Sequence, residues 1–218
     1  MSPSFFPPVE YASDSGLLCY GGVAAPHVLL DAYRHGIFPW PHEGYPLLWF
    51  APPRRAVLVF DELRLNARLR RSLRAANYRI TFDQAFSTVI AACAGPRLVD
   101  GEEEEGTWIT PDLVEGYTAL WERGYVHSVE AWQGDELVGG LYGVLLGAHF
   151  CGESMFHRAP NASKACIVAL VERLAAGGAT WLDIETMTPH FARLGAREIP
   201  RAGFTQWMRD AQNQPSAW

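Results

Sequence analysis

The sequence predicts a mixed α/β protein, that is, an α+β chain with a central sheet that is mixed and largely antiparallel. Short apolar runs alternate along the chain with segments of helical periodicity, which favours this class. The run 137–149 is interrupted by a turn near Gly147, as is typical of two consecutive antiparallel strands. Glycine and proline separate the segments throughout, and no internal repeat is present.

Composition sets limits on the class of protein. A chain of 218 residues can bury a full core, as one large domain or two small ones. Its hydrophobic content of 49% with 19% charged residues is typical of a soluble globular protein, and no apolar run is long enough to cross a bilayer. The N-terminus lacks the basic start and apolar core of a signal peptide. We therefore expect a cytoplasmic protein without a membrane partner.

The four cysteines favour neither a disulfide framework nor a metal site. They form no C-x-x-C pair and have no histidine at the spacing of a zinc site. We expect four reduced thiols, and we expect Cys151, which follows an apolar run, to belong to the core.

The first 60 residues are predicted to form a small N-terminal domain. The proline and arginine pairs at 52–55 are the candidate boundary, and residues 61–218 form the second domain. The predicted elements of the first part are a helix from Pro26 to Gly36, an aromatic stretch at 37–40, an apolar run at 47–50 and a strand at 56–60.

The second part is predicted to contain helices, an antiparallel meander, a long helix and a last strand. This order suggests a GNAT-like acyltransferase fold, and the acidic segment 100–106 is expected to be a mobile loop. The predicted elements are a basic helix at 63–76, a strand at 78–81, a helix capped by Asp83 and stopped at Gly95-Pro96, a helix from Thr110-Pro111 to Gly124, strands at 127–132 and within 137–149, a helix capped by Asn161 that ends at Gly177, and a strand at 180–186.

Basic residues are concentrated in one segment. Eight arginines lie between Arg54 and Arg79 against two acidic residues, so this segment carries +6. Because the whole chain carries −6, the remainder carries −12. Such asymmetry is typical of a local phosphate contact. A solvated helix face, with arginine chosen for helix propensity, explains the segment equally well, and both interpretations stay open.

The stretch around Glu153 combines a strand end with a helix start. A carboxylate at the end of an apolar strand must be hydrated, paired or used in function. The helix that begins near Asn161 favours anions at its N-terminus, and Lys164 in its first turn is the single lysine of the chain. Ser154 has no base placed beside it, so we interpret it as a hydrogen-bonding loop residue. The alternative is an ordinary strand-to-helix connection with solvated side chains.

Two further carboxylates are predicted to share one strand face. Asp183 and Glu185 are two residues apart, so a strand would direct them to the same side. With Glu153 they would suit a cationic substrate, and a divalent metal is the rival use, although nothing in the spacing requires one. An exposed strand face is the simpler alternative. The sequence lacks a glycine-rich pyrophosphate loop before the Asn161 helix, which disfavours a standard coenzyme A enzyme, and it has neither a P-loop nor a G-x-S-x-G motif.

Eight motifs in a fixed order resemble those of leucyl/phenylalanyl-tRNA–protein transferases. The resemblance covers roughly residues 20–205. The motifs are Tyr-Arg-His-Gly-Ile-Phe-Pro-Trp at 33–40, Trp-Phe-Ala-Pro-Pro-Arg at 49–54, Gly-Thr-Trp-Ile-Thr at 106–110, His-Ser-Val-Glu at 127–130, Leu-Val-Gly-Gly-Leu-Tyr-Gly at 137–143, Gly-Glu-Ser-Met-Phe at 152–156, Asn-Ala-Ser-Lys at 161–164 and Leu-Gly-Ala-Arg-Glu-Ile-Pro-Arg at 194–201.

The resemblance implies transfer of Leu or Phe, and of Met less well, from aminoacyl-tRNA to proteins that begin with Arg or Lys. The added residue marks such proteins for degradation as an N-degron. The resemblance implies a small N-terminal domain joined to a GNAT-like domain, with neither a metal nor a cofactor, and we expect a monomer.

The resemblance also implies roles for particular residues. Glu153 corresponds to the residue that holds the acceptor's cationic side chain, and Asp183 to the acid near the attacking amine. The implied substrate pocket comprises Tyr33, Trp40, Trp108, Tyr117, Leu141 and Phe150, with Ser154 beside it. The implied tRNA contacts are Arg68, Arg70, Arg71, Arg74 and Lys164.

Position 185 departs from the family pattern. The family usually has Asp-x-Gln at 183–185, whereas this chain has Glu185, which we count as a third candidate catalytic residue. The departure leaves room for a transferase with a different acceptor, such as a cell-wall peptide, although those enzymes usually carry two GNAT-like units. A non-enzymatic tRNA-binding module is the other alternative, and such a module would not need the three carboxylates.

Overall fold

The computed structural model describes residues 4–95 and 108–218, together with the backbone of 97–99 and 102–104. The strands are β1 Leu17–Tyr20, β2 Phe38–Pro39, β3 Leu48–Phe50, β4 Arg54–Val59, β5 Arg79–Phe82, β6 Arg97–Val99, β7 Glu102–Glu104, β8 Val126–Gln133, β9 Glu136–Leu146, β10 His149–His157, β11 Trp181–Asp183 and β12 Arg197–Pro200. The helices are α1 Pro26–Arg34, α2 Ala67–Ala76, α3 Phe86–Cys93, α4 Pro111–Trp121, α5 Ala162–Ala176, α6 Pro189–Arg193 and α7 Arg201–Gln212, and 3₁₀ turns lie at Val9–Tyr11 and Phe60–Glu62.

The architecture confirms the predicted class. A seven-stranded sheet has the order β12-β4-β11-β10-β9-β8-β5, and a three-stranded sheet has the order β1-β3-β2. All neighbouring pairs in the seven-stranded sheet are antiparallel except β10 with β11, so the sheet is mixed and largely antiparallel. A small β6-β7 pair stands apart from both sheets. Within the described ranges, no helix combines the length and the apolar character needed to span a bilayer.

Helix starts follow local chemistry where the sequence offers it. Proline occupies the first turn of α1, α4 and α6. The side chains of Asn66, Thr110 and Thr188 accept hydrogen bonds from backbone N–H groups in the first turns of α2, α4 and α6. These contacts satisfy donors that a helix leaves without internal partners.

Two predicted caps are wrong. Asp83 has a left-handed φ of 57°, and its carboxylate accepts from the Ser128 backbone N–H and contacts His127 instead of capping α3. The backbone N–H of Ala85, the residue before α3, instead donates to Oε1 of Glu130 in β8. Asn161 precedes α5 as predicted, but its φ is 64° and its side chain makes no capping bond. The Asp83 carboxylate is held by β8, and Oδ1 of Asn161, the atom that would cap α5, accepts from Lys164 instead.

Several predicted boundaries need correction. The turn at Gly147 between β9 and β10 is confirmed, but the basic helix begins at Ala67 and not at Leu63, because Asn66 caps it there. The predicted strand at 180–186 ends at Asp183. Strands β1 and β12 and helices α6 and α7 were not predicted from the sequence. Of the segment expected to be a mobile loop, Glu102–Glu104 is a strand, and the remaining residues of 100–106, like Pro96, lie outside the described residues.

The predicted domain boundary at residue 60 separates strand β4 from the rest of its sheet. Strand β4 lies between β11 and β12 in the seven-stranded sheet, although the division into 1–60 and 61–218 assigns it to the N-terminal part. A boundary at 51–53 keeps both sheets whole. We therefore keep the two-part organisation as a proposal with this earlier boundary.

Adjacent glycines in β9 show how the two faces of the sheet are covered. A Cβ atom at Gly139 would lie 2.6 Å from Cβ of Ala162 in α5, and one at Gly140 would lie 2.9 Å from Val89 in α3. Because successive residues of a strand point to opposite faces, α5 covers one face and α3 the other. Tyr142, two residues after Gly140, packs against Phe86 of α3 and Tyr117 of α4.

The sheet opens where its two parallel strands part. Strand β10 pairs with β11 at a single position, Cys151 with Asp183. Strand β10 then passes an irregularity between Gly152 and Ser154 and continues along β9, while β11 ends. The fold therefore leaves a gap between β10 and the segment that follows β11.

We expect Gly139→Ala to destabilise the protein by about 1–3 kcal/mol, because the new methyl group would meet the first turn of α5 and not a flexible side chain. Gly203→Ala is the matched control. Gly203 lies in α7 with open space around it, so alanine should be neutral or stabilise by up to about 1 kcal/mol. Urea unfolding of both variants measures the difference. Equal stability of Gly139→Ala and the parent would contradict the close approach of α5.

Candidate active site

A cavity of about 330 Å³ occupies the gap between β10 and the segment after β11. Leu141 and Tyr142, which point to opposite faces of β9, both line it, so the cavity reaches across the sheet. One part is apolar, with Leu141, Ile167, Leu170, Leu182 and Ile184. Another is aromatic, with Phe38, Trp40, Trp108 and Phe191. Its polar groups include Glu153, Ser154 and Glu185.

Six of the ten predicted catalytic and substrate-binding residues meet at this cavity. Trp40, Trp108, Leu141, Glu153, Ser154 and Glu185 line it directly. Trp40 is 38% exposed, so its ring is accessible from solvent, whereas Glu153 is buried. The cavity therefore has an aromatic side open to solvent and a buried acidic group.

Tyr33 and Tyr117 lie behind Glu153. Their hydroxyl oxygens are 2.6 Å apart, and the Tyr117 hydroxyl donates to Oε2 of Glu153 at 2.8 Å. The second carboxyl oxygen, Oε1, is buried without a hydrogen-bond partner among the described residues. Burial raises the pKa of Glu153 to about 7, although hydrogen bonds from both tyrosines oppose the rise. The tyrosines thus fix one oxygen of Glu153 and leave the other available to a ligand.

Phe150 does not line the cavity, contrary to the prediction. It lies between His149 and Cys151 in β10, and strand alternation directs it to the face that α5 covers. There it is fully buried, and its ring stacks on Trp218 with centroids 6.1 Å apart. Phe150 is a core residue in this fold.

Glu185 reaches the cavity by a turn and not by strand alternation. The chain leaves β11 after Asp183, and Glu185 has a left-handed φ of 60°. Its backbone N–H donates to Oδ1 of Asp183 at 2.9 Å, which fixes the turn. The two carboxylates therefore do not share a strand face, and that prediction is wrong. Burial and the charge of Glu153 raise the pKa of Glu185 well above its ordinary value.

Asp183 is fully buried beneath the cavity and does not line it. Its oxygens accept hydrogen bonds from Arg55, with Nε at 2.8 Å and Nη2 at 2.9 Å, and one oxygen lies 3.1 Å from Nε2 of His149. Burial opposes the charge, but Arg55 and His149 outweigh it and hold the pKa of Asp183 well below its ordinary value. Asp183 is therefore ionised at neutral pH and anchors Arg55 beneath the cavity.

Arg55 is a site residue that was not predicted from the sequence. Its guanidinium group is buried between the rings of Phe38, at 4.5 Å, and Phe204, at 4.9 Å. Its basic neighbours in the sequence placed it among the candidate phosphate-binding arginines. Its position at the start of an apolar strand was the available signal, since a buried arginine requires a carboxylate partner.

The predicted tRNA-binding arginines are exposed along α2. Arg68, Arg71 and Arg74 are open to solvent, and exposed Arg70 also donates from Nε to the Leu65 carbonyl. Lys164 lies near this helix, because its ammonium group donates to Asn161, and Asn161 donates to Ser72 of α2. The structure thus brings two separately predicted basic groups together.

One group of side chains could hold a metal ion. Donor atoms of Cys151, Glu153 and Glu185 lie within 4.8 Å of one another. However, Nη2 of Arg55 lies 3.5 Å from the Cys151 sulfur and 4.0 Å from a Glu185 oxygen, so a positive charge already occupies this neighbourhood. Burial raises the pKa of the Cys151 thiol well above its ordinary value, which disfavours the thiolate that a metal would need. These residues fit a metal poorly.

Comparison with known families identifies two matching sequence models. The model described as leucyl/phenylalanyl-tRNA protein transferase matches residues 57–209, and that of the family's N-terminal domain matches residues 24–53.

Curated proteins match over nearly the whole chain. A leucyl/phenylalanyl-tRNA–protein transferase of Stutzerimonas stutzeri (strain A1501) is 50% identical over 214 residues, which cover 97% of this chain and 93% of that protein. One from Syntrophus aciditrophicus (strain SB) is 47% identical over 211 residues, covering 97% of this chain and 87% of the relative.

Among solved structures, L-PGS from Bacillus licheniformis is similar at 12% identity with a TM-score of 0.39. The alignment covers 76% of this chain and 52% of that one.

We expect Arg55→Met to destabilise the protein by about 3–5 kcal/mol, because it leaves the Asp183 carboxylate buried without a partner. Arg55→Met combined with Asp183→Asn should recover part of the loss. Since the folded pKa of Asp183 is depressed, the pair's stabilisation is present above about pH 4, the usual aspartate pKa, and decreases as pH falls further.

Guanidinium unfolding at several pH values measures these effects. Arg197→Met is the control, because it breaks an exposed pair with Glu62 and should cost less than about 1 kcal/mol. If Arg55→Met costs no more than this control, the buried pair does not organise the site.

Proposed function

The chain belongs to the leucyl/phenylalanyl-tRNA protein transferase family, and we propose that it transfers Leu or Phe, and Met less readily, to proteins that begin with Arg or Lys. It is an aminoacyltransferase whose donor is an aminoacyl-tRNA. The observation that carries the acceptor proposal is a cavity that joins an apolar side to two carboxyl groups of raised pKa, buried Glu153 and half-buried Glu185.

The aromatic and apolar sides of the cavity suit the donor. Trp40 and Trp108 offer ring faces for the terminal adenosine, since aromatic stacking holds a base without requiring a particular sequence. Leu141, Ile167 and Leu170 offer an apolar surface for the side chain of Leu, Phe or Met. The volume of about 330 Å³ is at the small end of the range for ligand pockets and favours a donor that carries a single amino acid.

The acidic side suits a cationic acceptor. Oε1 of Glu153 has no partner among the described residues, and Glu185 stands close by, so an incoming guanidinium or ammonium group would satisfy both. Two carboxyls this close titrate together, and the pKa values of both are raised. The pair would therefore bind a cation and remain able to accept a proton.

The reaction needs positioning more than activation, because the donor ester is already reactive. The neutral amine of the acceptor attacks the ester carbonyl, a C–N bond forms, and the C–O bond to the tRNA 3′ end breaks. The amine's proton passes to the Glu153–Glu185 pair or to the departing ribose oxygen. Holding amine and carbonyl together supplies most of the acceleration.

We assign Asp183 a positioning role in this scheme. The family resemblance places its counterpart near the amine, but here Asp183 acts through two neighbours. It fixes the Glu185 turn through the backbone N–H and it holds Arg55 in place. The depressed pKa of Asp183 makes it a poor proton acceptor.

The remaining surface supports a polynucleotide partner. The exposed arginines of α2 would contact phosphates of the tRNA, and such a local patch is needed because the chain as a whole carries −6. We propose that the protein acts as a monomer in the cytoplasm, where aminoacyl-tRNA is made, and that the transferred residue marks its acceptors for degradation.

Glu153→Gln should lower transfer of Phe to peptides that begin with Arg or Lys by at least about 30-fold. Removing one partner of a desolvated charge pair commonly costs about 2–5 kcal/mol, and glutamine keeps the shape while removing the charge. Transfer from labelled Phe-tRNA to peptides that differ only in the first residue measures this. Glu172→Gln, on the exposed side of α5, is the control variant. Equal transfer by the parent to an Ala-starting peptide would refute the acceptor assignment.

Glu185→Gln should retain transfer and move the acid-side limb of its pH profile to lower pH. Glu153 and Glu185 repel each other when both are ionised, so replacing Glu185 lowers the pKa at which the pair loses its last proton. Single-turnover transfer from Leu-tRNA between about pH 5 and pH 9 measures the shift. A profile that superimposes on the parent's would place Glu185 outside the reacting group.

A further inference from the structure

Three basic side chains lie around helix α6, a helix that also borders the cavity. We call Arg64, Lys164 and Arg193 the basic rim. Arg64 and Arg193 are exposed and Lys164 is half-buried. They come from three separate segments, so the sequence does not reveal the cluster.

Backbone contacts place Arg64 beside the end of α6. The Arg64 N–H donates to the Leu194 carbonyl at 2.8 Å, and the Cβ position of Gly195 lies 3.1 Å from Cγ of Arg64. Arg193 immediately precedes these residues. A side chain at 195 would clash with the Glu62 carbonyl, so glycine allows the segment that carries Arg64 to pack against the end of α6.

Hydrogen bonds place Lys164 beside α2. Its Nζ donates to Oδ1 of Asn161 at 2.8 Å, and Nδ2 of Asn161 donates to Ser72 of α2 at 3.0 Å. The α6 segment also borders the cavity, because Thr188 and Phe191 line it. The rim therefore connects α2 with the cavity.

No ion pair among the described residues involves the charges of the rim. Nearby exposed Arg54 and Arg197 pair with Glu198 and Glu62 at 3.2 and 3.0 Å. No comparable acidic partner pairs with Arg64, Lys164 or Arg193 in the part of the chain that the structure describes.

The pKa of His190 is influenced by the positive charges of the rim. Burial lowers the pKa of His190 to about 4, and Lys164, Arg193 and His157 contribute to the fall. Lys164 and Arg193 therefore act on one group, which agrees with their placement around α6. Cations without ion-pair partners among the described residues thus surround α6, beside both the exposed arginine helix and the cavity. Such a group of cations favours the binding of an anionic polynucleotide strand.

We propose that the basic rim binds the backbone phosphates of the single-stranded 3′ end of the tRNA as it passes from α2 into the cavity. This proposal rests on the function proposed above, and it adds Arg64 and Arg193 to the tRNA-binding surface. The occupant is the polynucleotide, because its 3′-terminal residue must enter the cavity beside α6. An acidic segment of the acceptor protein is the competing occupant.

The test compares two donors that differ in their phosphates. Arg64→Gln combined with Arg193→Gln is assayed with Phe-tRNA and with the 3′-phenylalanyl ester of adenosine, which has no phosphate. At 50 mM salt we expect kcat/KM with Phe-tRNA to fall roughly 5- to 10-fold. The slope of log kcat/KM against log salt concentration should become shallower by about 1.4, because each phosphate that is no longer neutralised contributes about 0.7. Transfer from the adenosine ester should change less than about twofold. Lys164→Gln alone should reduce the slope by about half as much.

Arg54→Gln combined with Arg197→Gln removes two exposed but paired arginines and should leave the salt slope of Phe-tRNA transfer unaltered. An unaltered slope in the rim variant, or an equal loss with both donors, would overturn the proposal. A higher KM for an acidic acceptor peptide with unchanged tRNA dependence would assign the rim to the acceptor instead. If the parent transfers from neither donor, the proposed function fails separately, and titration with uncharged tRNA at several salt concentrations still tests the rim.

Discussion

The buried ion pair between Arg55 and Asp183 is the interaction on which the site depends. It joins β4 to β11, and its guanidinium lies between Phe38 of the first sheet and Phe204 of α7. His149 on β10 contacts the same carboxylate. A buried pair of this kind adds little net stability, because the desolvation of both charges offsets their attraction. Its value here is geometric, since the elements that surround the cavity converge on this one pair of side chains.

The same pair separates the roles of three nearby carboxyl groups. Asp183 receives two hydrogen bonds from Arg55 and stays ionised, whereas Glu153 and Glu185 are buried with less compensation and their pKa values rise. Environments that move the pKa values of neighbouring acids apart are a recurrent basis for dividing acid and base work. Glu185 enters this arrangement because a left-handed turn, fixed by Asp183, points it toward Glu153.

Sequence reasoning recovered what local pattern controls and missed what distant partners control. The periodicity of α5, the Gly147 turn and the Pro111 helix start are local, and the structure has all three. Phe150 was wrongly assigned to the pocket, because a sequence motif does not show which face of a strand a side chain occupies. Arg55 was hidden in a basic segment, since its function appears only when Asp183, 128 residues away, is brought beside it. The strand through Glu185 was overextended because alternation alone does not reveal a turn stabilised by a side chain.

Helix α2 combines four exposed arginines with an absence of buried residues. Its anchors to the rest of the protein include the Asn161–Ser72 hydrogen bond and the partly buried face of Leu69. A segment with so little buried surface opens locally at a small fraction of the global unfolding free energy. The arginine helix is thus expected to open more readily than the buried elements that surround the cavity. If the proposed phosphate contacts lie on this helix, they can shift with a bound polynucleotide while the Arg55–Asp183 pair keeps the carboxyl groups of the cavity in place.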